Sequence, residues 1–145
     1  MKSQEAALPQ AEAVSGRGRF FTVPEANSAL VLVRRIVRDI VDRQAELMRL
    51  RDQVEELGEA LGATETVAGL RWRAERLTTA LNRLHDELIE VGCELKDWTV
   101  GLVDFPALHE GREVSLCWRC DEQSVGFWHE LDGGFAGRRP VDADF

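Results

Sequence analysis

The chain has 145 residues, 44% of them hydrophobic and 30% charged, with a net charge of −8. That length is enough to bury a core without disulfide or metal staples, and the composition fits one soluble, helix-rich domain. The negative balance excludes a general binder of nucleic acid or of anionic membranes, both of which need clustered positive charge.

Residues 1–20 are rich in Ala, Gln and Glu and carry Ser15-Gly-Arg-Gly-Arg19 near their end. This composition predicts a disordered tail ahead of a single domain over 21–145. The start has no apolar core of a signal peptide, and no apolar run is long enough to span a bilayer. Three cysteines without framework spacing complete the expectation of a reduced, cytoplasmic protein.

Thr22-Val-Pro-Glu25 has the form of a capping box, with Pro24 in the first turn where no hydrogen bond is lost. Leu30, Val33, Val37, Ile40, Gln44, Leu47, Arg51, Val54, Gly58 and Leu61 then step by three and four, which predicts an amphipathic helix to about Leu57 or Leu61. A Gly-containing connector over 58–66 leads to a second stripe, Leu70, Ala74, Leu77, Leu81, Leu84, Leu88 and Val91, closed by Gly92 as a C-cap. Two heptad stripes joined by a short connector predict an antiparallel helical hairpin over 21–92. Val31, Ile36, Val41, Leu50 and Leu57 add a second apolar edge to the first helix. One partner helix cannot cover both, so the expectation is that the following β region and a second subunit, making a homodimer, share the task. A monomer covered by its own sheet is the alternative.

After Gly92 the apolar period becomes two. Leu102–Phe105, ended by Pro106, then Val114, Leu116 and Trp118, then Val125, Phe127 and His129 predict short antiparallel strands over 93–145, followed by a Gly-rich loop delivering Arg138 and Arg139. The fold class is therefore α+β, a long helical hairpin followed by a small antiparallel sheet.

This last third holds the chemistry. Residues 92–145 carry 11 acidic and 5 basic side chains, against 13 and 10 over 22–91. A hairpin loop at Cys120–Gln123 sets Val114 opposite His129 and Glu113 opposite Glu130, with Asp104 beside Glu113. Asp104, Glu113 and Glu130 would then form one row, and opposed carboxylates need a neutraliser. An all-oxygen site for Mg²⁺, Mn²⁺ or Ca²⁺ is one answer; a solvated face laced by Arg–carboxylate pairs is the plainer one. Lys96, Asp97 and Arg112 form a polar constellation at the helix-to-strand junction, and with Trp128, His129 and Arg138 they are the candidate ligand-binding residues. Cys117-Trp-Arg-Cys120 has CxxC spacing, but at a strand end rather than the helix N-terminus that activates a thiol. His109 is expected in a turn and His85 on the second helix, neither with an obvious partner.

Phe21-Thr-Val-Pro-Glu-Ala-Asn27, Glu94-Leu-Lys-Asp97, Gly101-Leu-Val-Asp-Phe-Pro106, Gly111-Arg-Glu-Val-Ser-Leu-Cys-Trp118 and Trp128-His-Glu-Leu-Asp-Gly-Gly-Phe-Ala-Gly-Arg138 resemble a bacterial family of uncharacterised small proteins, domain of unknown function 2203, from about Arg19 to Val141. The resemblance implies that these segments form one unit and assigns them no activity; Cys120 departs from the family's pattern. The residues themselves favour a non-enzymatic interaction or small-ligand-binding module on a dimeric hairpin, with a protein partner or small ligand and neither nucleic acid nor membrane. The alternative is a metal-assisted hydrolase using Asp104, Glu113 and Glu130 with His129, in which Arg112 and Arg138 hold an anionic group.

Overall fold

The computed structural model of the chain describes residues 19–62, 64–143 and 145. Apart from Arg19 and Phe20, the expected N-terminal tail lies outside the described residues. Helix α1 spans Val23–Leu61. It starts as the capping box predicts: Thr22 Oγ1 accepts from Glu25 N at 3.2 Å, and Glu25 Oε1 accepts from Thr22 N at 2.9 Å. Helix α2, Glu65–Val91, ends at Gly92, whose φ of 109° is the left-handed conformation a C-cap requires. The two pack as the expected hairpin.

Five strands follow: β1 (Glu94–Asp97), β2 (Leu102–His109), β3 (Arg112–Arg119), β4 (Phe127–Glu130) and β5 (Arg139–Pro140). They form an antiparallel sheet in the order β1-β2-β3-β4-β5, a plain meander. Strand β2 runs through Pro106 rather than stopping there. The Pro106 carbonyl accepts from Phe21 N at 2.7 Å, on the side that β1 has already left, so the N–H that proline lacks costs no ladder bond. Strands β1 and β5 are additions to the expected three, and β5 lies in what reads as a Gly-rich loop.

One face of the sheet takes Val103, Phe105, Ala107, Val114, Leu116, Trp118 and Trp128 into a single core with Leu30, Val33, Val37 and Ile40 of α1 and Leu81 and Leu88 of α2. Helix α1 is fixed to the β3–β4 connection by polar contacts as well. Asn27 accepts from Val125 N at 2.8 Å and reaches the Val125 carbonyl, and the Arg34 guanidinium donates to the Glu122 and Gln123 carbonyls. At the turn into β2, Gly101 has φ 75°, and a Cβ there would lie 2.8 Å from Val37 Cγ1. Both the conformation and the close approach demand glycine.

These contacts explain a difference in register. Strand β4 starts at Phe127, not Val125, because Asn27 draws the backbone of Val125 onto α1. Val114 therefore faces Glu130, Ser115 faces His129, Leu116 faces Trp128 and Cys117 faces Phe127. The expected pairing is off by one residue, and a slip of one sends every side chain of the strand to the other face.

Candidate functional site

The register decides what meets what. Asp104 on β2 pairs with Cys117 on β3, and Ser115 on β3 pairs with His129 on β4. Asp104, Cys117 and His129 thus share the sheet face turned away from the helices. All three are buried: Asp104 is 6% exposed, His129 3% and Cys117 not at all. The cover comes from the C-terminal segment. Arg138 lies over the Phe127 ring, 4.0 Å from its centroid, and donates to the Cys117 carbonyl at 3.0 Å. Its guanidinium is held in turn by both carboxylate oxygens of Glu122, at 2.8 and 2.9 Å. Gly133 comes so close to β4 that a Cβ on it would be 3.6 Å from His129 Cβ.

Within this enclosure His129 Nδ1 lies 2.7 Å from the Glu130 carbonyl oxygen, and Nε2 lies 3.2 Å from each carboxylate oxygen of Asp104. A carbonyl only accepts, so Nδ1 carries the proton. Nε2 is therefore the ring atom directed at the Asp104 carboxylate, joined to it through a proton or another cation. The Cys117 thiol donates to the same carboxylate. Burial raises the Asp104 pKa, against the opposing pull of His129 and Lys96. Burial, reinforced by the Asp104 charge, pushes the Cys117 thiol up to about 12. A thiol so held is a poor nucleophile. His129 does not activate it, since both ring nitrogens are directed elsewhere.

The expected carboxylate row is not formed. Asp104 faces Cys117; Glu113 faces Leu108, four residues or about 13 Å along the strand. Glu130 falls on the other face and forms a fork with Arg112, at 3.1 and 2.6 Å, which holds its carboxyl below the usual range. This is the Arg–carboxylate pairing that exposed acidic faces commonly use.

The remaining candidates are dispersed. Lys96 pairs with Glu94 at 3.5 Å, both half exposed. Asp97 Oδ1 accepts from Thr99 N and Val100 N, closing the turn after β1. Trp128, expected among the ligand-binding residues, is 6% exposed and belongs to the core. His109 is the last residue of β2 and clusters with Trp128 and Phe145, tilted against the first ring and stacked on the second, and His85 stacks on Trp98. Cys120 does not join Cys117: its Sγ would be 2.9 Å from a Cβ on Gly101 and bonds to the Val100 carbonyl, on the helix side. The CxxC spacing carries no redox pair.

Sequence reasoning placed Asp104 and His129 in different roles and gave Cys117 none here. The signal was present as strand parity, in that Asp104 and Cys117 each lie between buried apolar neighbours and His129 follows buried Trp128, but it becomes readable only with the correct β3–β4 connection. Among the described residues, no helix is long and apolar enough to cross a membrane.

The profile of a family described as "Uncharacterized conserved protein (DUF2203)" matches residues 19–141. Comparison with curated proteins and with solved structures gives no match.

Proposed function

We propose, from the premise that the chain belongs to the DUF2203 family of uncharacterized conserved proteins, that it is a non-enzymatic interaction module whose helical hairpin pairs with a second copy of itself. The observation that carries this reading is the contrast along the hairpin. Beside the sheet, the α1 stripe from Leu30 to Ile40 is buried, whereas towards the hairpin tip Val67 is covered but Val54, Leu57, Leu70, Ala74 and Leu77 are only partly buried and Leu61 and Trp72 lie outside. Two helices alone do not cover such a stripe; four do.

A groove of about 720 Å³ runs along this part, with Val54 and Ala74 on its floor and Arg51, Arg71, Asp52, Glu55 and Glu75 along its walls. Both signs of charge share one surface, as a two-fold symmetric contact needs, because each patch must complement itself. Arg112, Arg138 and Asp97 are engaged in ion pairs or backbone caps.

Sedimentation equilibrium of the full chain is the test. The wild type is expected to be a dimer and Val54→Glu a monomer with an unchanged circular dichroism spectrum, since Val54 is only half buried. A wild type that sediments as a monomer at the highest attainable concentration overturns the reading.

A further inference from the structure

We infer that Asp104, Cys117 and His129 form a site for one divalent transition-metal ion of borderline softness, with Zn²⁺ the ion whose ligand preferences they match. The three donors come from adjacent strands, β2, β3 and β4, so the backbone holds them in place. One ligand atom from each lies within 4.8 Å of the others, and all three residues are buried.

The geometry around the imidazole is that of a metal ligand. Ligating histidines donate their second ring N–H to a carboxylate or a carbonyl, which fixes the tautomer and aims the free nitrogen at the metal. His129 does this: Nδ1–H donates to the Glu130 carbonyl at 2.7 Å, and Nε2 is directed at the Asp104 carboxylate. A metal ion bound between Nε2 and the carboxylate would take the place of the proton that otherwise joins them. Zinc bonds of about 2.0–2.3 Å at tetrahedral angles set ligand atoms about 3.3–3.8 Å apart. The Nε2–Oδ separation of 3.2 Å is already there. The widest separation compatible with the cluster, 4.8 Å, closes with a side-chain adjustment of about 1 Å.

Donor chemistry selects the metal. A thiolate and an imidazole beside one carboxylate suit Zn²⁺; Mg²⁺ and Ca²⁺ call for oxygen shells that three such donors do not provide. The hard-cation site expected from a carboxylate row is thus replaced by a softer one on other residues. Binding exchanges protons for the ion: the Cys117 thiol proton and the proton shared by His129 and Asp104 leave as the ion enters, with no change of oxidation state. Three protein ligands leave a fourth position for water or a small ligand.

Full-length protein, stripped with chelator under reducing conditions and titrated with Co²⁺, provides the test. One Co²⁺ per chain is expected, with a thiolate-to-cobalt charge-transfer band that Zn²⁺ displaces. The band should persist in Cys120→Ser and vanish in Cys117→Ser. His129→Gln should weaken Zn²⁺ by more than the roughly 10–100-fold that loss of an outer partner costs. Zinc-edge X-ray absorption on the loaded wild type needs no variant: one sulfur at about 2.3 Å among nitrogen and oxygen neighbours is expected. No charge-transfer band in the wild type, a band that survives Cys117→Ser, or a zinc shell without sulfur overturns the site. None of these readouts depends on whether the hairpin pairs with a second copy.

Discussion

Both faces of the sheet bury side chains, and they are held together by different physics. The face under the helices buries Val103, Phe105, Ala107, Leu116 and Trp118, and its stabilisation scales with apolar area, at about 25 cal/mol per Å². The opposite face buries Asp104, Cys117 and His129. Those groups lose hydration on folding and regain it only through one another, the Glu130 carbonyl and the Arg138–Glu122 strap. A face held by apolar area is indifferent to pH and ions. One held by polar partners responds to both, and that is where the proposed metal site lies.

The largest test of this contrast is Trp118→Ala. Trp118 is fully buried and its indole N–H donates to the Glu122 carbonyl at 3.0 Å. Loss of about 3–5 kcal/mol is expected in urea unfolding, constant between neutral and acid pH; a strongly pH-dependent loss would break the contrast. Glu122→Gln probes the other face and should cost about 1–3 kcal/mol near neutrality. Burial alone would raise the Glu122 pKa, but the Arg138 hydrogen bonds, the Arg119 N–H and both guanidinium charges outweigh it, so the net shift is downward. A depressed folded pKa contributes stability above the unfolded value and loses it as pH falls through the folded one. The gap between wild type and Glu122→Gln should therefore close as pH drops below the usual carboxylate range. A gap that stays open there would mean that shape, not charge, holds the strap. Lys96→Ala is the smallest effect: the Lys96–Glu94 pair is half exposed on both sides, and a change within about 0.5 kcal/mol is expected from thermal melts.

The hairpin was legible because a heptad stripe needs only local spacing, and because the Thr22–Glu25 box and Gly92 mark its ends within a few residues. The sheet was legible as alternation but not as register. Register here depends on Asn27 bonding to Val125 across 98 residues, a contact that no local pattern encodes. That single displacement moved Trp128 into the core, freed Glu130 to pair with Arg112 and brought His129 to Asp104. The candidate site was therefore hidden by arithmetic rather than by composition: the residues were recognised as chemically unusual and assigned to the wrong neighbours. Pro106 misled for a related reason, since the edge that tolerates it is created by Phe21, far away in the chain.

The meander has a consequence for the order of events at the ribosome. Helix α1 is made well before the strands that cover its stripe. At about 5–20 residues per second, residues 41–130 take roughly 5–20 s to synthesise. For that interval Val33, Val37 and Ile40 have only α2 to lie against, and α2 itself is completed midway. The sheet, once out, assembles from neighbouring strands alone and closes quickly, because local pairings fold fast. The nascent chain is thus exposed early and sealed late, and truncation anywhere before β4 leaves the helix without its lid.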